Sequence, residues 1–199
     1  AGFDLILHGT LMEADTLDMV IERKVPIAPT LTFQANLIDF GHQIGAAPFI
    51  QDLFRREIAD SAETLRKAYD AGVPILCGSE SGFSVTPYGH WHYREMEVLI
   101  KEMGFSPLEA IRSATSENAR AMLHHGELGR IEAGSIADLL LVSKNPTQDV
   151  TVLGDEENLK MIFKDGVIQD LGPSTQRKPI NGWRVVNYGQ ILTQQVAKG

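Results

Sequence analysis

A carboxylate placed directly after a glycine-broken apolar run is the first feature of this sequence with chemical potential. Residues 73–77 have strand composition, Gly78 interrupts them, and Glu80 follows within Gly78-Ser79-Glu80-Ser81-Gly82. A strand end that presents one acid suits the C-terminal mouth of a parallel sheet or barrel, where active sites are built. A carboxylate held there can carry a proton while water attacks a substrate. Taken alone, the same five residues are better read as a polar turn. His8 is the second candidate, because residues 3–7 form a strand that ends in His8-Gly9-Thr10. Neutral imidazole is a good ligand for zinc or manganese, although a lone histidine more often serves structure. His90 and His92, with Tyr88, Trp91 and Tyr93 around them, either line a substrate pocket or form an aromatic loop packed on a rim. Thr30, Thr32 and Gln34 follow another strand and are placed to touch a substrate, ordinary loop contacts being the commoner role. Arg94 and Glu95 read as salt-bridge partners at a helix start, and Cys77 as core. His42 lies in an irregular stretch, and His124 and His125 stand near a helix C-terminus, where a dipole explains them; none of the three reads as catalytic.

The elements that must position these residues follow from the spacing of apolar side chains. Residues 13–24 read as a helix, with Leu17, Val20 and Ile21 on one face. Residues 25–31 read as a strand bracketed by Pro26 and Pro29, which lack a ladder donor. Residues 32–50 are polar and without a clear period, which predicts a long lid or binding loop. Residues 51–71 form a strong helical pattern whose face is Leu53, Phe54, Ile58, Leu65 and Ala68, with Gly72 as its stop. A second long loop covers residues 79–89, and a helix covers 91–103 up to Gly104. Ser106-Pro107-Leu108-Glu109 is a capping box that starts a helix running through Ile111 and Ala114, and residues 117–123 form a further short helix. Strand and helix therefore alternate in a parallel βα layout. Three strands do not close a barrel, so the layout is either a small open sheet or the last part of a larger barrel. From about Gly126 the pattern turns β-rich. Residues 137–142 read as a strand, and residues 159–163 with 167–168 as a hairpin around Lys164-Asp165-Gly166. The chain thus divides into residues 1–125, β-strands over 126–171, and a weakly patterned tail over 172–199.

Composition removes several classes of function. A net charge of −8 without a basic stripe argues against nucleic acid. At 43% hydrophobic and 22% charged residues the chain is too apolar for disorder, and no apolar run reaches membrane-spanning length. A single cysteine excludes an internal disulfide framework and a cysteine-based zinc site, and it fits a reducing, cytoplasmic compartment. Ala1 opens almost directly on an apolar strand, which predicts that further polypeptide precedes it.

Four segments in series resemble the metal-dependent amidohydrolase superfamily, most closely its imidazolonepropionase-like and prolidase-like branch. Residues 1–10, ending in His8-Gly9-Thr10, resemble that family's sixth strand. Gly78-Ser79-Glu80-Ser81-Gly82-Phe83 resembles its eighth strand, where Gly-Thr-Asp is usual. Ser106-Pro107-Leu108-Glu109-Ala110-Ile111, with Ala114-Thr115 and Asn118-Ala119, resembles the helix pair after the barrel. Residues 129–139, Gly-Arg-Ile-Glu-Ala-Gly-Ser-Ile-Ala-Asp-Leu, resemble the strand that re-enters a small β-sandwich.

The resemblance implies an α/β fold: the C-terminal part of a TIM-like (β/α)8 barrel, strands six to eight, followed by part of a small β-sandwich. It implies a divalent metal, zinc first, as one or two ions, with manganese or iron as alternatives. In the family the ligands are a His-x-His pair on strand one, a lysine or acid on strand four, and histidines on strands five and six. The strand-eight aspartate acts as base and sometimes as ligand. His8 matches the strand-six ligand, and Glu80 stands at the aspartate position as base or ligand, with Ser79 placed to orient it. His90-Trp91-His92 has His-x-His spacing but follows the eighth strand, so it matches no ligand pair. The implied activity is hydrolysis of a C–N bond in a peptide-like amide, a urea or carbamate, or a cyclic amide, by metal-activated water. The implied partners are a small amide-type substrate, an N-terminal half of the barrel, and further copies forming a homo-oligomer. An isolated chain of 199 residues is then expected to be inactive. The rival reading is a catalytically incomplete fragment or split subunit with a structural or interaction role. A metal-free open-sheet hydrolase is a third, against which the lack of a Gly-x-Ser-x-Gly elbow counts.

Overall fold

Two short parallel strands and one bridging residue set the frame of the first part. In this computed structural model, residues 2–122, 126–170, 172 and 192–198 are described. Strand β1 (Ile6–Leu7) pairs in parallel with β2 (Ile27–Ala28), Ile6 against Ile27 and Leu7 against Ala28. Helix α1 (Ala14–Arg23) connects them. Pro26 and Pro29 bracket β2 as expected.

Residues 73–77, expected to be a strand, pair at one point only, a parallel bridge from Ile75 to Ile27. Pro74 has no N–H, and Ile27 itself takes both available bonds: its amide donates to Pro74 O at 3.0 Å and its carbonyl accepts from Leu76 at 2.7 Å. The pairing nevertheless places three chain segments side by side and in the same direction, with their C-terminal ends at His8, Thr30 and Glu80.

Residues 32–50 are not the long loop expected from their polarity. Helix α2 (Thr32–Phe40) and a 3₁₀ turn (Gly41–Ile44) fill them, and α3 (Pro48–Asp70) begins at once with proline in its first turn. Helix α2 buries Thr32, Gln34, Ala35, Asn36 and Leu37. With polar groups on its inner surface it shows no amphipathic period, which is why the pattern misled. Asn36 compensates by donating to Val85 O at 2.8 Å. Helix α3 buries Ile58, Ser61, Ala62, Leu65 and Ala68. Leu53, assigned from its spacing to the same face, is exposed.

Helix α4 (His92–Met103) stops at Gly104, whose φ of 69° a side chain adopts only with strain. Helix α5 (Pro107–Arg112) carries the expected capping box: Glu109 N donates to Ser106 Oγ at 3.3 Å and Ser106 N to Glu109 Oε2 at 2.8 Å. A π-turn (Ser113–Glu117) joins it to α6 (Asn118–Ala121), so the two expected helices are one interrupted helix. The Ser106 amide, the Ser106 hydroxyl and Tyr69 OH together hold the Glu109 carboxyl down at about 2. Ser106→Ala is expected to cost about 1 kcal/mol, read by urea denaturation. Because the folded pKa of Glu109 is depressed, its contribution is present above about 4.5 and lost as pH falls toward 2. The stability gap between wild type and Glu109→Ala should therefore close over that window.

The main core joins Val20, Ile27, Leu31, Ile58, Leu65, Val73, Ile75, Leu99 and Phe105. These side chains come from α1, β2, the residue before α2, α3, the bridging segment, and α4 with the residue after Gly104, and Ile6 of β1 packs against them, so burial welds the strand ends to the surrounding helices. Beyond residue 126 lies an antiparallel sheet of β3 (Leu139–Val142), β4 (Leu159–Lys164) and β5 (Val167–Ile168), in the order β3-β4-β5. Asp165 and Gly166 both take positive φ, 52° and 75°, as the expected two-residue hairpin turn demands. The register puts Leu139, Leu141, Met161, Phe163 and Ile168 on one face. Among the described residues no second sheet covers that face. His124, His125 and most of the tail lie outside the described residues. Of the tail, Leu192 is fully buried, accepting from Trp91 Nε1 at 2.8 Å and donating to Ser84 O at 2.8 Å.

Candidate active site at the strand ends

The three parallel segments end in the same unusual conformation. His8, Thr30 and Glu80 have φ of 68°, 57° and 48°, in the left-handed region that L-residues avoid. Such strain costs roughly 1–3 kcal/mol per residue and persists where the surroundings over-determine it, often at functional sites. For β-branched Thr30 the conformation is especially unfavourable.

The turns bring three side chains together. Thr30 Oγ1 lies 2.5 Å from His8 Nδ1 and donates its single proton to Pro29 O at 2.7 Å. The hydroxyl therefore accepts from the histidine, and Nδ1 carries the imidazole proton. That leaves the Nε2 lone pair free, and Nε2 faces Glu80 Oε1 at 3.7 Å. With neutral histidine and ionised glutamate, two acceptors look at each other across a short gap. The arrangement is satisfied by a proton on the imidazole or by a cation between the two groups.

An imidazole nitrogen and a carboxylate oxygen are the donor types that zinc and manganese take. Two ligands of a tetrahedral zinc ion, each at about 2.0–2.2 Å, stand ~3.4 Å apart, close to the separation found. His8 and Glu80 thus fit as part of a metal site. Among the described residues, no group of three or more His, Cys, Asp or Glu side chains is gathered to complete one. Both side chains are partly exposed, which leaves room for further donors.

The remaining candidates are placed differently. Ser79 does not reach Glu80; its hydroxyl meets Ser81 Oγ at 3.0 Å and His92 Nδ1 at 2.9 Å. The loop after Glu80 is instead fixed through its backbone, Thr86 Oγ1 donating to Glu80 O at 3.0 Å and Gly82 N to Thr86 O at 2.8 Å. His92 lines a cavity of about 360 Å³ with Cys77, Ser79, Trp91, Tyr93 and Asn118, on which Leu140 of β3 also borders, whereas His8, Thr30 and Glu80 do not line it. Desolvation by the protein around it, and then neighbouring His90, lower the His92 pKa. Tyr88 is exposed and His90 half-buried. Thr30 is buried, with its hydroxyl proton on Pro29 O.

Glu95 corrects the expectation of a helix-start ion pair. It is completely buried, and its carboxylate accepts from Leu31 N at 3.0 Å, Thr32 N at 2.8 Å and Thr32 Oγ1 at 2.6 Å. Burial pushes its pKa up to about 7, against the pull of the Thr32 and Leu31 donors. The signal was present in the sequence: Glu95 stands three and four residues before Val98 and Leu99, on the stripe that α4 buries. Arg94 does form ion pairs, with Asp39 and Glu97.

Residues 5–168 match the family model described as "Amidohydrolase family". The chain belongs to the amidohydrolase family. This amidohydrolase chain is similar to an uncharacterized protein of Mycobacterium tuberculosis, 26% identical over 153 residues, which are 77% of this chain and 40% of that protein. It is also 28% identical over 111 residues to ochratoxinase of Aspergillus niger, covering 55% of this chain and 22% of the relative. Among solved structures, a Xaa-Pro dipeptidase with methionine in its active site superposes with a TM-score of 0.68 at 30% identity, over 85% of this chain and 40% of that one. The amidohydrolase chain therefore spans about 40% of the length of the mycobacterial protein and of the dipeptidase. The prolidase-like likeness read from the sequence stands.

Proposed function

We propose that these residues form the C-terminal part of a metal-dependent hydrolase of C–N bonds, acting on peptide-like amides such as dipeptides or N-acyl amino acids, with ureas, carbamates and cyclic amides as the wider class. The observation that carries the reading is His8 Nε2 facing Glu80 Oε1 at 3.7 Å across two adjoining strand ends. Family membership and the name of the dipeptidase relative support amide cleavage.

His8 and Glu80 would hold a divalent cation, zinc before manganese or iron. When bound, such a cation polarises a carbonyl and makes water acidic enough to attack at neutral pH. Thr30 keeps the His8 proton on Nδ1, so that Nε2 remains a ligand. Glu80 takes a proton at Oε1 or Oε2 from the attacking water and returns it to the departing nitrogen, which leaves as a neutral amine. The loop of residues 79–89, fixed by Thr86, holds the carboxylate at the strand mouth. His90, His92 and Tyr88, which follow Glu80 in the chain, are the residues we propose for substrate contact, with His92 lining the neighbouring cavity.

The rest of the donor set and of the barrel would come from polypeptide outside these residues. The exposed apolar side chains of Leu5 (39%) and Leu7 (62%) at β1 support this, as do the exposed Leu141, Met161 and Ile168 on one face of the C-terminal sheet. Association with further copies is compatible with the same reading. No helix among the described residues is long and apolar enough to cross a membrane.

The test uses the complete polypeptide that carries these residues. Metal content is measured, and hydrolysis is assayed on Xaa-Pro dipeptides, N-acyl amino acids, carbamates and cyclic amides. Turnover of one class, lost on chelation and restored by zinc or manganese, is expected. No C–N hydrolysis with zinc, manganese or iron would overturn the proposal. The 199-residue chain alone should neither bind stoichiometric metal nor turn over; robust activity there would overturn the need for further polypeptide.

A further inference from the structure

We propose that Glu95 is a positioning residue for His8, acting through the turn that carries Thr30. The inference deepens the metallohydrolase reading and rests on it for its functional meaning.

The carboxylate of Glu95 comes from α4 and reaches the start of α2, where it accepts from two successive amides, Leu31 N and Thr32 N, and from the Thr32 hydroxyl. Those amides directly follow Thr30. They fix the peptide planes on its C-terminal side, while β2 and Pro29 fix the chain on its other side. Thr30 is thereby held at φ 57°, a conformation a β-branched residue leaves when free to do so. In this conformation its hydroxyl sits between Pro29 O and His8 Nδ1. The hydroxyl receives the Nδ1 proton, and Nε2 is left bare toward Glu80.

An unconstrained histidine side chain prefers the other neutral tautomer, with its proton on Nε2. In that form the nitrogen facing Glu80 would be a hydrogen-bond donor and not a ligand. Metal-ligating histidines are commonly oriented through their second nitrogen. Here the orienting group is itself held by a buried acid 65 residues further along the chain (positions 30 and 95). The acid is fully buried and its carboxylate is engaged by the Leu31 and Thr32 donors, so it acts through the turn and not on the reacting atoms.

The test reads the His8 ring directly. The complete polypeptide is labelled with ¹⁵N-histidine, freed of metal and observed at pH 8 by long-range ¹H–¹⁵N correlation, with His8→Gln giving the assignment. Wild type should show His8 mainly with its proton on Nδ1. Glu95→Gln and Thr30→Val should both move the ring toward the Nε2–H tautomer. Thr32→Val, which removes one of the three donors, should give a smaller move, and Thr32→Ser should restore the wild-type spectrum. An unchanged His8 tautomer in Glu95→Gln overturns the proposal; if that variant does not fold, the same result in Thr32→Val overturns it.

Zinc is then titrated into each protein. Glu95→Gln should weaken zinc binding by about 10- to 100-fold, as loss of an orienting partner does. If the tautomer follows Glu95 but zinc leaves the His8 resonances unmoved in every variant, the positioning role stands and the metallohydrolase reading falls. If zinc moves His8 equally in wild type and Glu95→Gln, with one tautomer in both, the positioning role falls and the metallohydrolase reading stands.

Discussion

Glu80→Gln is expected to lower kcat by about 10²- to 10⁴-fold while leaving metal in the protein, because the amide cannot take the proton that the carboxylate shuttles. The amide oxygen remains available as a weak ligand, so metal content by elemental analysis should change less than rate. Glu80→Asp is the sharper variant. It withdraws the carboxylate by roughly one carbon–carbon bond, ~1.5 Å, from a position already 3.7 Å from His8 Nε2. Aspartate is the residue expected at this strand end from the resemblance, yet the turn here stands at φ 48° with a glutamate in it. A displacement of that size in a positioned group can cost ~10²-fold, so aspartate should not restore the rate. Full activity in Glu80→Gln would remove Glu80 from proton transfer. Full activity in Glu80→Asp would show that the pocket is not fitted to the longer side chain.

Glu95→Leu should destabilise the fold by about 3–5 kcal/mol, the largest stability effect expected of a single change here. Leucine matches the volume, but it leaves the amides of Leu31 and Thr32 and a buried hydroxyl without an acceptor. Glu95→Gln keeps one acceptor oxygen and should cost less. The two variants also separate the effect of charge. The Glu95 pKa is raised from 4.5 to about 7 by burial, so the folded state holds a proton that the unfolded state has lost across that interval. Stability from this group is complete below about 4.5 and declines as pH rises through 7, by up to about 3 kcal/mol. His92, whose folded pKa is lowered, acts in the opposite direction through pH 6.5 and below. The difference between wild type and Glu95→Gln isolates the glutamate. The stability of wild type relative to Glu95→Gln should fall as pH rises from about 4.5 through 7, read from urea midpoints, and parallel curves would show that Glu95 does not titrate in that window.

The two long stretches around the site show where sequence reasoning succeeds and fails. Residues 79–89 were legible as a loop because glycine, serine and proline terminate any period. Residues 32–50 were misread because α2 is buried on several sides, and a helix that buries Gln34 and Asn36 shows no apolar stripe. Glu95 was misread for a related reason. A glutamate near a helix start is normally solvated, and only the packing of α4 against the α2 start turns it into an internal acceptor. The short extent of the strands was equally hidden, since pairing depends on which edges find neighbours.

His8 and Glu80 were both legible as strand-end residues, and four separated motifs in order were enough to place the chain in its family, because glycine punctuation, capping residues and apolar runs are local properties. Their pairing was not legible. That His8 and Glu80 meet, that Thr30 sets the proton of the imidazole between them, and that Glu95 holds Thr30 in place are long-range facts. They arise from three strand segments lying in parallel and from one helix packing across the start of another, and no spacing along a single chain encodes hydrogen bonds between positions 63 and 64 residues apart.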